Sequence, residues 1–353
     1  QGDGSLVADI KLFIVCATRD PSPCRAEVII MPGFNSHYIF GRNALDSFTP
    51  NRYEQFLIRY PQSYHLGLQG PDIFIYSPGA NLFYKPGIST VLHTRKVADF
   101  IEMLIAERNK LLTKEHRIIA DAYIAGFLAH YTFDSVTHPY IYCRTKHSEH
   151  EEFKDYDFGL HVFLETDIDN ALLRHYMHLK PSEFASGDTI KLSAEEHMVI
   201  SILVCKAINH TYDDITLPLF IVRHAISFMS LLSNMVVDPK GIKKWGVRLV
   251  ERFITGYAVI SPRIAGDKVT TYRDPCNLRH KTWFNPFING KKRTDSVYDI
   301  IDKATPILID RIHNYAKSQT LSREVGADEK AACLGSLITS IADDGVNYDG
   351  AAI

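Results

Sequence analysis

Residues 124 to 140, IAGFLAHYTFDSVTHPY, are apolar enough for a protein interior, yet they carry His130, Asp134 and His138 at intervals of four. The apolar spacing extends back to residue 115 and predicts a buried helix over 115–137. Residues four apart lie on one helix face, so His130 and Asp134 present an imidazole and a carboxylate to one point in space. An ionised carboxylate among Phe127, Leu128, Tyr131 and Phe133 is strongly unfavourable unless compensated, and a divalent cation compensates it. Pro139 disfavours helical geometry at residue 138, which predicts a helix end there and turns the His138 ring outward toward a neighbouring ion.

The following helix repeats the arrangement: HVFLE places His161 and Glu165 four apart. Two such helices facing each other form a cage of the nitrogen and oxygen donors that zinc accepts, and three protein ligands leave a position open for water. A single HxxxD or HxxxE is a weak signal, because helices produce such pairs by chance. HxxxDxxxH followed by HxxxE is far more specific.

Helical spacing also marks 35–60, 89–112, 157–178, 193–236, 240–260 and 294–318, whereas alternating strands are scarce. Ser193 and Glu196 form a capping box, and Pro218 divides the stretch that follows into two helices. The Gly- and Pro-rich segment 67–87 reads as a long ordered loop, and 261–293, containing TWFNPFINGKKR, as a second irregular stretch. The chain has 353 residues, enough for one large domain or two modest ones. A net charge of −2 gives no basic footprint, so no stable nucleic-acid partner is expected. The six cysteines form no CxxC pair, which speaks against a thiolate zinc site or a disulfide framework and suits a reducing compartment. No apolar run reaches the ~18 residues of a membrane span, and the early run LFIVCA is short for a signal core, so a cytoplasmic chain is expected. Met31 reads as the opening of the folded unit, with 1–30 either an upstream N-terminal extension or a non-native one.

In order along the chain, MPGFNSHYIFG, GLQGPDIF, VLHT, AHYTFDSVTHPY and HVFLE resemble the landmarks of the bacterial zinc-dependent phospholipases C, over about residues 31–175. Beyond 175, only the helical character and TWFNP are similar. The resemblance implies an all-α multi-helix bundle of the type shared with single-strand nucleases: a phosphodiesterase domain over 31–262 and, over 263–353, an irregular segment and helices packed on it. It also implies a zinc cluster. By carry-over, Asp72, His93, His130 and Asp134 would hold one ion and His138, His161 and Glu165 a second, while Asp134 would bridge to a third that His37 also binds. Two departures stand out. Secreted members add an N-terminal tryptophan to the third site, and this chain has no tryptophan before Trp245; Ile73 stands where they place an aromatic beside the headgroup.

The implied reaction is hydrolysis of a phospholipid by zinc-activated water, releasing diacylglycerol and a phosphorylated headgroup, with peripheral membrane contact. Asp72 is the candidate general base, against an alternative as a turn residue after Pro71. Phe74, Tyr76, Phe83 and Tyr84 are candidates to line an acyl or headgroup groove, against plain loop packing. Two other function classes remain: a single-strand nuclease or nucleotide phosphodiesterase on the same zinc site, and a non-catalytic helical module with structural zinc. HSEHEE (147–152) reads as a solvated connection, His175 and His178 as surface or packing residues, and 238–248 as a short basic patch.

Overall fold

The computed structural model describes residues 33–51, 54–75, 77, 79–80, 83–145, 158–235, 238, 242, 245–246, 249, 266–267, 272–288, 291–320 and 325–344. Among them the helices are α1 (Phe34–Asp46), α2 (Phe56–Arg59), α3 (Pro61–Gly67), α4 (Ile88–Thr94), α5 (Val97–Asn109), α6 (Lys114–Arg144), α7 (Phe158–Leu172), α8 (Ala194–Thr211), α9 (Leu219–Met235), α10 (Val297–Gln319) and α11 (Ala327–Asp344). A two-residue pair, β1 (Trp283–Phe284) and β2 (Lys292–Arg293), is the strand content of the described residues. The fold is all-α. No helix among the described residues is long and apolar enough to cross a membrane.

Caps coded in the sequence start several helices. The Thr113 hydroxyl accepts the His116 amide at 3.1 Å and opens α6. Ser193 and Glu196 cap α8 reciprocally, with bonds of 3.2 and 2.9 Å, and Ser296 and Asp299 do the same for α10. Other expected helices are interrupted. The span 35–60 divides into α1 and the single turn α2, and 89–112 breaks at Lys96, whose φ of 50° cannot continue a helix. The span 157–178 ends as a π-turn over Leu173–Met177, and most of 240–260 lies outside the described residues. The Gly/Pro segment after α3 is not plain loop: Gly70–Phe74 forms a 3₁₀ turn.

The 31-residue α6 is the axis of the molecule, wrapped by α1, α3, α5, α8 and α10. It runs past residue 138 to Arg144, against the local preference for a helix end before Pro139. Proline removes one helical hydrogen bond, here the one to the Ser135 carbonyl, but burial of the apolar residues on both sides outweighs that loss. At the crossing of α3 on α6, Gly67 and Gly126 lie back to back. A Cβ on either would sit 2.1 Å from a backbone oxygen of the other helix. Mid-helix glycine costs about 1 kcal/mol relative to alanine, so Gly126 is there for proximity.

The C-terminal helices are tied to this axis by buried polar bonds. Arg311 of α10 donates to Thr132 Oγ1 on α6 at 2.8 Å and to the Ser340 carbonyl on α11 at 3.1 Å. Tyr315 donates to Asp121 on α6 at 2.7 Å, and that carboxylate also accepts two bonds from Arg108 of α5, at 2.6 and 2.7 Å.

Candidate metal centre

Three backbone features aim the first histidines. Asp169 of α7 accepts the Asn35 and Ser36 amides at 3.1 and 2.8 Å, pinning the start of α1 so that His37 points at α6. The carbonyl of Leu68, directly after the Gly67–Gly126 crossing, accepts from His130 Nδ1 at 3.0 Å. The carbonyl of Ser89, one turn back on α4, accepts from His93 Nδ1 at 2.8 Å. In both rings the Nδ1 proton is thereby committed, and Nε2 carries the lone pair toward the centre. Gly70, at φ 47°, lets the 3₁₀ turn pass against the His130 ring and delivers Asp72.

The side chains converge on Asp134. Its Oδ1 lies 3.1 Å from His37 Nε2 and 3.5 Å from His138 Nε2, and its Oδ2 lies 3.0 Å from His130 Nε2 and 3.8 Å from His93 Nε2. Asp72 Oδ1 is 3.4 Å from His93 Nε2. Glu165 Oε1 is 3.0 Å from His161 Nε2 and 3.6 Å from His138 Nε2, which joins α7 to the end of α6. Three groups could each hold a metal ion, with donor atoms within 4.8 Å of one another: His37, His130 and Asp134; Asp72, His93 and His130; His138, His161 and Glu165. All eight residues are buried.

Electrostatics separate a protonated cluster from a metal-binding one. Burial pushes the Asp134 carboxyl up, but His130, His138 and His37 hold it well below the usual carboxylate range, so it is anionic. Burial likewise opposes ionisation of Glu165, and His161 and His138 pull its pKa down. Burial lowers His37 while the Asp134 carboxylate raises it, and the carboxylate wins, so His37 can turn a proton toward Asp134. His130 is lowered, burial prevailing over Asp134. With Nδ1 bonded to the Leu68 carbonyl, its Nε2 faces Asp134 Oδ2 at 3.0 Å. Asp72 Oδ1, Asp134 Oδ2 and Glu165 Oε2 are buried and make no hydrogen bond. Buried carboxylate oxygens without a hydrogen bond are costly unless a cation sits beside them, and the all-nitrogen-and-oxygen donor set suits zinc.

Of the four candidate groove residues, Phe74, Phe83 and Tyr84 lie among the described residues. Phe74 is fully buried and packs in the core, because the 3₁₀ turn directs its ring inward. Tyr76 lies outside the described residues. Phe83 is 71% exposed, and the half-buried Tyr84 donates its hydroxyl to the Thr216 carbonyl at 2.6 Å. His175 packs against Tyr176 and Tyr298, and 147–152 lies outside the described residues. Asp169 was missed, although the signal was present: His161, Glu165 and Asp169 continue one i, i+4 stripe along α7. Burial raises its carboxyl to about 6, against the opposing hydrogen bonds from Ser36 and Asn35.

A sequence model of the family described as zinc-dependent phospholipase C matches residues 36–213, just over half of the 353-residue chain, a span that holds all eight residues of the cluster. No curated protein and no solved structure matches.

Proposed function

Since the chain belongs to the zinc-dependent phospholipase C family, we propose that it hydrolyses a phospholipid at the bond between glycerol and phosphate, releasing diacylglycerol and a phosphorylated headgroup. The observation that carries this reading is Asp134, whose two oxygens each face two imidazoles, at 3.1 and 3.5 Å on one side and 3.0 and 3.8 Å on the other. A carboxylate shared in this way suits adjacent cations. Asp72, His93, His130 and Asp134 would hold one zinc, His138, His161 and Glu165 a second, and His37 with Asp134 a third. Bound zinc supplies Lewis acidity, polarising a phosphoryl oxygen and lowering the pKa of water to about 7.

The chain's own groups do the rest. Asp72 orients the attacking water and takes its proton, since its Oδ1 is spoken for by no hydrogen bond. Displacement is in line at phosphorus: one P–O bond forms, the bond to the glycerol oxygen breaks, and that oxygen takes up a proton. Ser89 and Leu68 keep the tautomers of His93 and His130 fixed throughout, which preserves the donor set.

Metal analysis coupled to a substrate panel tests the proposal. The purified chain should contain two or three zincs and hydrolyse phosphatidylcholine or phosphatidylethanolamine, and a chelator should abolish turnover without unfolding it. Asp72→Asn should keep nearly all its zinc and lose turnover by 10²-fold or more, on the order expected for a general base. His161→Ala should lose one ion. Wild-type turnover in either variant, or cleavage of single-stranded DNA in preference to both lipids, rejects the proposal.

A further inference from the structure

The β1–β2 hairpin sorts its side chains onto two faces by strand alternation. Trp283 and Arg293 are cross-strand partners on the inner face; Trp283 packs edge-on against Tyr140 with centroids 5.5 Å apart, and the Arg293 guanidinium lies 4.7 Å over the indole. Phe284 and Lys292, the adjacent pair, face outward. Phe284 is 49% exposed with the Lys292 ammonium 5.9 Å from its ring, and Ile288 beyond it is 45% exposed. Arg279, Lys281, Lys291 and Lys292 are exposed nearby, and none forms an ion pair with a described carboxylate. Lys291, Lys292, Arg293 and Lys303 line a cleft of about 660 Å³, in which the acid, Asp295, is already engaged by Arg293 and Lys303. In a chain of net charge −2, this is a local concentration of uncompensated positive charge.

The hairpin also adjoins the metal centre. Phe287 packs edge-on against Tyr142, centroids 5.5 Å apart, and Tyr142 in turn packs on His161 at 5.1 Å and His138 at 5.6 Å. Exposed apolar side chains among unpaired cations match an anionic bilayer: the apolar groups enter the acyl boundary while the lysines meet lipid phosphates. We propose that the face carrying Phe284, Ile288, Lys291 and Lys292 docks the chain on an anionic phospholipid surface with the centre beside it, an assignment that rests on the phospholipid reading of that centre.

The test is sedimentation of the zinc-loaded chain with phosphatidylcholine vesicles, with and without phosphatidylserine, beside its turnover of a soluble chromogenic phosphodiester. Wild type should sediment with the phosphatidylserine vesicles, less at high salt. Lys291→Glu/Lys292→Glu should weaken that binding on the order of 30-fold or more, from the loss of two surface cations. Phe284→Ser should weaken binding to both vesicle types, and all variants should turn over the soluble ester as wild type does. Charge-independent binding, unchanged binding by the double variant, or retention on single-stranded DNA without vesicle binding overturns the assignment. Loss of soluble turnover in wild type, by contrast, rejects the hydrolase reading and leaves the vesicle result to stand separately.

Discussion

Gly70→Ala tests whether the metal centre is built by steric fit as well as by ligand identity. Gly70 sits at φ 47°, and a Cβ there would lie 2.3 Å from His130 Cδ2 and 2.5 Å from Cγ. The left-handed backbone costs alanine about 1–2 kcal/mol. The His130 ring cannot yield cheaply: it is fully buried, and swinging it away breaks its 3.0 Å bond to the Leu68 carbonyl. Overpacking of this kind costs typically about 1–3 kcal/mol, so the substitution should destabilise the zinc-free chain by roughly 2–5 kcal/mol in all. Urea denaturation reads this as a lower midpoint at unchanged slope. Zinc content should fall as well, since a displaced His130 weakens both groups to which it belongs. Gly335→Ala is the internal control: it lies in α11 with nothing within 4 Å of its Cβ position, and should stabilise by about 0.5–1 kcal/mol. Wild-type stability and full zinc content in Gly70→Ala would refute the steric argument.

Asp121→Asn should destabilise by about 3–5 kcal/mol in urea denaturation, because it leaves the buried Arg108 guanidinium without its bidentate carboxylate and weakens the joint to Tyr315. In the zinc-free chain, Asp169 is raised by burial from 3.8 to about 6, so between those values the native state holds more protons than the unfolded one. Its contribution is present below the unfolded pKa and lost as pH rises through about 6, an effect on the order of 3 kcal/mol. Asp134 and Glu165, both depressed, act oppositely, and their stabilisation is lost as pH falls through their folded pKa values. The difference between wild type and Asp169→Asn across pH 4 to 7, followed by denaturation midpoint, isolates the contribution of Asp169; a difference constant with pH would contradict it.

The local half of the centre was legible in the chain itself. Helix geometry places residues four apart on one face, so His130 with Asp134, and His161 with Glu165, follow from spacing alone, as does the Ser193 cap, while the all-α class was implied by the family resemblance. Pro139 shows the limit of local rules. Its intrinsic preference predicts a helix end, but the neighbours that bury both sides of α6 carry the helix on to Arg144. Whether His37 and His93 reach Asp134, and Asp72 reaches His93, depended on contacts between residues far apart in sequence: the glycine-to-glycine crossing of α3 on α6, the left-handed turn at Gly70 against the His130 ring, and the Asp169 carboxylate holding the start of α1. Those contacts arise from close packing, which acts on the neighbours that tertiary structure supplies, and no periodicity along the chain encodes them.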